Sequence, residues 1–218
     1  MISRRLLALG LLVVLGLAFF LGMNAYREGV QSDQDARAGA ESGRLVRMHT
    51  PIIGPQDAKV TIVEFFDPAC ETCRAFHPIV KDIMADYRGS VRLALRYAPL
   101  HHGSDEVVKM LEAARRQGLY LPVLEAVLEA QPAWASHHAP NVELAFKAAE
   151  QVGLDLITAR QDMESPAIRS TLEQDVEDLT ALQVTKTPTF FVNGRSLQSF
   201  GPEQLARLVA EEVERSRQ

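Results

Sequence analysis

After two arginines the chain runs through eighteen consecutive apolar residues, Leu6 to Met23, and no comparable run recurs. As a helix rising about 1.5 Å per residue it spans roughly 27 Å, close to the ~30 Å hydrocarbon core of a bilayer. The pattern predicts a transmembrane anchor over 6–23, with residues 1–5, including Arg4 and Arg5, on the cytoplasmic side. The competing reading is a cleaved signal, but a cut after Ala25 places Met23 where a small residue belongs. No cysteine follows the run to accept a lipid. Residues 24–50 are polar, mix both charges and show neither helical nor strand periodicity, which predicts a flexible linker.

From Pro51 to Gln218 the pattern is that of one folded domain. Lys59 to Phe66 is a β-branched and aromatic run, read as a buried strand that breaks at Asp67-Pro68. A helix is expected from Cys70 to about Tyr87, bent at Pro78, and Val91 to Tyr97 reads as a second strand, parallel to the first. Helical patterns then fill an insertion over about 102–183. They are Asp105 to Gln117, with Ser104 as N-cap, Leu121 to Glu129, Val142 to Val152, and Ala167 to Leu182. Thr189 to Val192 is a short strand, Asn193-Gly194 a hairpin turn with Ser196 to Phe200 returning, and Gly201-Pro202 opens a last amphipathic helix.

Composition narrows the function. Of 218 residues, 47% are hydrophobic and 23% charged, with a formal charge of −5, so the chain is neither disordered nor multi-pass. No basic cluster offers a nucleic-acid face. There are two cysteines, Cys70 and Cys73. That excludes a disulfide-stapled mini-protein and a four-cysteine zinc ribbon.

Cys70-Glu71-Thr72-Cys73 sits where a strand gives way to a helix. Unpaired amides and the partial positive charge at the helix start favour a thiolate at the first cysteine, which makes it both nucleophile and leaving group. A static disulfide would close only a tiny loop and stabilise little. The other alternative is metal binding: Cys70, Cys73 and His77 follow i, i+3, i+7 spacing, a face that zinc or Cu(I) could use. His101-His102 and His137-His138 lie in loop-like stretches and read as solvated.

The segment Val63-Glu64-Phe65-Phe66-Asp67-Pro68-Ala69-Cys70, with Glu71-Thr72-Cys73 and Pro78, resembles the active-site segment of the thioredoxin superfamily. Thr185-Lys186-Thr187-Pro188-Thr189-Phe190-Phe191-Val192-Asn193-Gly194 resembles its cis-proline loop and following hairpin. The helical insertion with Gln131 and Trp134, and the lead-in Pro51-Ile52-Ile53-Gly54 through Ala58-Lys59-Val60, are similar to the exported DsbA-like branch. The resemblance covers about residues 51–218. It implies an α/β thioredoxin-like fold with a helical insertion, here preceded by one transmembrane helix.

The resemblance further implies a cis bond between Thr187 and Pro188 beside the dithiol, with Thr187 backbone exposed for an incoming substrate strand. Glu64 shares a strand face with Val60, Ile62 and Phe66. It stands six residues before Cys70, where the superfamily carries a buried acid that relays a proton to the second cysteine; Arg96 is a candidate partner for it. The implied enzyme is a thiol:disulfide oxidoreductase, with Cys70 attacking and Cys73 resolving and the cysteine pair itself as redox centre, so that neither organic cofactor nor metal is required. It would be anchored in a bacterial cytoplasmic membrane with its catalytic domain outside, probing exported proteins and exchanging electrons with a membrane redox partner, as a monomer. The alternatives are an exported reductase or isomerase, and a copper- or zinc-binding protein on the same fold. The superfamily's oxidase prototype has Pro-His between its cysteines. Glu71-Thr72 instead predicts a higher thiolate pKa and a potential between about −120 and −230 mV.

Overall fold

Strand β1 (Ile52–Ile53) is followed by β2 (Val60–Phe66), helix α3 (Glu71–Asp86) and β3 (Val91–Tyr97), after helices α1 (Arg4–Ala40) and α2 (Ser42–Leu45) at the N-terminus. The computed structural model describes residues 4–136, 138–197 and 199–218. His137 and Gln198, and residues 1–3 of the expected cytoplasmic end, lie outside the described residues. Strand β2 is β-branched and aromatic on both faces because both are covered. It pairs in parallel with β3, Val60 opposite Val91 through Phe66 opposite Tyr97. On its other edge it pairs antiparallel with β4 (Thr189–Val192), and β4 pairs with β5 (Arg195–Ser196). The sheet order is β1-β3-β2-β4-β5.

Between β3 and β4 lie five helices: α4 (Ser104–Arg116), α5 (Tyr120–Trp134), α6 (Val142–Gln151), α7 (Leu156–Met163) and α8 (Pro166–Ala181). The chain ends in α9 (Pro202–Arg215). The sheet separates two cores. On one face Val60, Ile62 and Phe66 meet Cys73, Phe76, Val80 and Ile83 of α3, Leu205 and Val209 of α9, and the bulk of the insertion, including Trp134. On the other, Val63, Phe65, Ala94 and Phe191 pack against Leu179 and Leu182 near the end of α8, with Leu45 from the N-terminal segment.

Several expectations need correction. Residues 24–40 continue α1 instead of forming a flexible linker, so the helix is 37 residues long. They contain no proline and many good helix formers, and extending an existing helix avoids the cost of nucleation. The packed domain begins before Pro51: Leu45 is in a core, and Arg44 and Arg47 bond to Asp178 of α8. Ser104 is the first residue of α4, not its cap; the N-cap is Gly103 at φ +78°, where an added Cβ would meet Val142 at 2.7 Å. The Ser104 hydroxyl is drawn to the buried carboxyl of Asp67 instead. Helix α7, capped by Asp155 on Ile157 and Thr158, was not anticipated, because its apolar spacing is weak. The returning strand is only Arg195–Ser196, after a turn with Asn193 at φ +49° and Gly194 at φ +85°.

Arg96 is not the partner of Glu64. Glu64 pairs in register with Leu95, so Arg96, one residue on, points to the opposite face. There it binds Asp175 at 2.7 Å and Asp178 at 2.7 Å and covers the Phe65 ring.

Candidate active site

Strand β2 ends at Phe66, and Asp67 makes the turn that starts α3. Its side chain accepts from Ala69 N–H at 2.8 Å and its carbonyl from Cys70 N–H at 3.0 Å, an Asx-type turn built by Asp-Pro. Cys70 is thereby the N-cap of α3, and its sulfur accepts from Cys73 N–H at 3.4 Å. The opposite wall is the loop before β4. The Thr187–Pro188 bond is cis, and the Thr187 carbonyl oxygen lies 3.2 Å from Cys70 Sγ, where a protonated thiol donates to it. Cys70, Cys73, Thr187 and Pro188 therefore come together although 114 or more residues separate the two pairs.

The two thiols are made unequal. Hydrogen bonding from the Cys73 side chain, then from the Thr187 side chain and the backbone of Cys73 and Thr72, lowers Cys70 to about 5 against the opposing pull of burial. Cys73 is fully buried, and burial first, then its bond to Cys70 and the nearby charges of Glu64 and Cys70, push it far above the ordinary thiol value. At neutral pH one sulfur is a thiolate and the other holds its proton, which is the asymmetry that nucleophile and resolving thiol require.

Glu64 lies on the same sheet face as the dithiol core, 2% exposed, with Oε1 lacking a hydrogen-bond partner among the described residues. Burial, and next the charge of Cys70, push its carboxyl up to about 8. A carboxylic acid poised near neutrality beside a buried thiol can carry a proton to and from it.

Three contributors were not singled out as site residues from the sequence. Gln131 of α5 donates to the carbonyls of Pro68 at 2.8 Å and Cys70 at 3.0 Å and accepts from Arg74 at 3.1 Å, so the insertion braces the active turn. Asp67, read only as a strand break, also accepts from Leu100 and His101 N–H at 2.7 and 3.0 Å. His101, expected to be a solvated loop residue, lines the cleft in front of Cys70 together with Glu71, Thr72, Lys186 and Thr187, and its Nδ1 lies 2.7 Å from Asp67. The Asp-Pro turn signal was the one local pointer to Asp67; nothing local distinguishes His101. A second groove runs beside Pro188, lined by Phe190, Leu197, Phe200 and by Tyr26 and Val30 of α1, and it shares Lys186 with the first.

His77 does not join the cysteines as a ligand. It leans toward Glu125 at 3.8 Å, and burial, with the charge of Lys81, lowers its pKa. Among the described residues no group of three or more His, Cys, Asp or Glu side chains could hold a metal ion.

A family model described as Thioredoxin matches residues 47–211. A solved thioredoxin-like oxidoreductase from Silicibacter pomeroyi is 30% identical with a TM-score of 0.67, covering 80% of this chain and 96% of that one. Oxidised BdbD from Bacillus subtilis, at 22% identity and a TM-score of 0.67 over 76% and 93% of the two chains, shares the fold. A curated protein of Herminiimonas arsenicoxydans named Na(+)/H(+) antiporter NhaA is 30% identical over 202 residues. Those residues are 89% of this chain but 31% of that relative, so the chain spans about a third of its length. The unequal dithiol is the arrangement that thiol–disulfide exchange requires, and the chain belongs to the thioredoxin family.

Proposed function

We propose that the protein is a membrane-anchored oxidoreductase that exchanges disulfides with exported proteins on the outer side of a bacterial cytoplasmic membrane. The observation that carries the reading is the inequality of the two thiols around the Cys70 cap, with Cys70 at about 5 and Cys73 raised. Cys70 forms the mixed disulfide with substrate and Cys73 resolves it, while Glu64 takes up and returns the Cys73 proton. Thr187 and Pro188 bind the substrate strand, and the apolar groove beside Pro188 receives the residues flanking its cysteine. The redox centre is the cysteine pair, with no other cofactor. A membrane redox protein returns the pair to its working state.

The anchor is supported by the helix stretch Leu9–Val30, 22 residues with mean hydropathy 2.0 and exposed along its length. A length that crosses the whole hydrocarbon core and an apolar surface left unburied by the rest of the chain fit lipid. The expected results are two. Cys73→Ala accumulates Cys70-linked mixed disulfides with exported proteins, and the full chain stays with membranes through carbonate washing. Trapping through Cys73 in Cys70→Ala instead would reverse the roles, and a soluble product beginning near Tyr26 would remove the anchor.

A further inference from the structure

The apolar helix at the N-terminus also supplies a wall of the exchange site. Helix α1 continues unbroken to Ala40 and packs against β5. Tyr26 and Val30, one helical turn apart and so on one face, line the groove beside Pro188 together with Phe190, Leu197 and Phe200. Phe76 of α3 backs this floor, its ring centroid 5.4 Å from that of Phe190 and 4.7 Å from that of Phe200. Tyr26 and Val30 stay 70% and 42% exposed, so the wall is built but not filled. The groove holds about 250 Å³, short of the roughly 300–1,000 Å³ of a site that encloses a small-molecule ligand. It suits the side chains of a passing polypeptide segment.

Two cations stand at the same groove, Arg27 from α1 and Lys186 from the loop before Pro188. Among the described residues neither head group has an ion-pair or hydrogen-bond partner. Other exposed arginines are paired: Arg116 with Asp162, Arg160 with Glu143 and Arg195 with Glu211. The Lys186 carbonyl accepts from the Thr189 hydroxyl at 2.7 Å, which fixes the backbone that carries the ammonium. Lys186 also lines the Cys70 cleft, so groove and cleft adjoin. A segment that lies along Thr187 with its sulfur at Cys70 therefore carries its neighbouring side chains into the groove.

We propose that Tyr26, Arg27 and Val30 of α1 contact the incoming polypeptide and set its specificity, favouring a segment with a large apolar side chain and a carboxylate close to its cysteine. The inference rests on the oxidoreductase reading above and makes the anchoring helix part of the binding surface as well as a tether. The apolar side chain leaves water against Tyr26, Val30 and the phenylalanines. The carboxylate meets Arg27 and Lys186, two positive charges on a chain of net charge −5. An anionic lipid headgroup would meet the same cations, but it brings no backbone to Thr187 and no sulfur to Cys70. The continuity of groove and cleft favours polypeptide.

The test gives the oxidised full chain, in detergent, three dithiol peptides that differ only beside the reactive cysteine: leucine with aspartate, leucine with lysine, or two glycines. The readout is the ratio of kcat/KM between peptides within each protein, so a general loss of activity in a variant cancels. For wild type we expect the leucine–aspartate peptide to lead the leucine–lysine peptide about fivefold and the glycine peptide about tenfold. Arg27→Glu should bring the first ratio to about one or below by speeding the leucine–lysine peptide, a gain that damage to the fold does not produce. Tyr26→Ala combined with Val30→Ala should cut the lead over the glycine peptide about threefold or more. Equal rates with all three peptides in wild type, or ratios that neither variant moves, would overturn the proposal. So would activity that follows added phosphatidylglycerol in wild type but not in Arg27→Glu while the peptide ratios stay put, because the cation would then serve lipid. A wild type that exchanges with none of the peptides, nor with dithiothreitol, would instead sink the oxidoreductase reading itself.

Discussion

The two faces of the sheet bury acids in opposite ways. On the α8 side Asp175 and Asp178 are fully buried and fully paired: Arg96 reaches both, Arg44 and Arg47 add to Asp178, and His49 lies 2.6 Å from Asp175. Burial alone would raise Asp178, but hydrogen bonds from Arg47, Arg96 and Arg44 outweigh it and hold the carboxyl well below its usual range. Tyr97 N–H and the Arg44 carbonyl complete the network, which ties the N-terminal segment and α8 to β3. On the dithiol side Glu64 is equally buried and has no charged partner among the described residues, and its carboxyl rises to about 8. A paired acid is fixed in one protonation state and serves the fold; an unpaired one near neutrality can exchange its proton and serves chemistry, at a cost in stability.

That contrast is broken most forcefully at Arg96. Arg96→Met leaves two buried carboxylates short of their central cation and should destabilise the protein by about 3 kcal/mol or more. Denaturant unfolding measures the loss, while the Cys70 thiolate absorbance against pH should stay where it is. A large shift in the Cys70 titration would mean that the two faces are coupled.

Glu64→Gln should act in the opposite direction. A folded carboxyl at about 8, above its unfolded value of 4.5, means the native state keeps a proton that the unfolded chain has released. Wild-type stability therefore falls as pH rises from about 4.5 and the loss levels off above about 8. At about 1.4 kcal/mol per pH unit the variant should gain up to about 3 kcal/mol at pH 7 and nothing at pH 4. It should also resolve mixed disulfides more slowly, because Cys73 loses its proton carrier. Unfolding at pH 4 and 7, paired with single-turnover exchange, reads both; a variant that is no more stable at pH 7 would show Glu64 to be paired after all.

The smallest effect is expected at Glu71, exposed on the first turn of α3 beside the thiolate. Glu71→His removes a like charge and should lower the Cys70 pKa by about one unit or less, making the domain a slightly stronger oxidant. With Cys70 at about 5, between the values of about 3.5 and about 7 found in strongly oxidising and reducing relatives of the fold, the potential should fall within the same range of about −120 to −230 mV. Glutathione equilibration of both proteins tests this, and an unmoved thiolate would remove Glu71 from the account.

Local pattern was enough for the elements that carry the dithiol. Strand β3 spans Val91 to Tyr97 as the pattern predicts, β2 lies within a residue of its β-branched and aromatic run, and Cys70 caps α3 because an extended turn residue must precede the first helical one. Period-two alternation already placed Glu64 in an apolar row. What alternation along one strand could not supply was register against the next, and register decides that Arg96 lies across the sheet from Glu64. In the same way Asp155 caps α7 and Ser165 caps α8 in the structure, but the sequence pattern singled out neither, and α7 between them has too weak a stripe to be seen.

By itself the sequence determined the chemistry on offer: two thiols on a helix start, an acid in a buried row, a proline before a strand, and an apolar helix at the N-terminus. Those are local facts, written in spacing and side-chain type. Only the tertiary structure decided which distant groups meet them. Thr187 comes within 3.2 Å of Cys70 from 117 residues away, Gln131 reaches the Cys70 carbonyl from 61 away, and His101 turns to Asp67 from 34 away. Such contacts depend on how helices and loops close over the sheet, and a polar side chain in a loop carries no periodicity that would announce its partner.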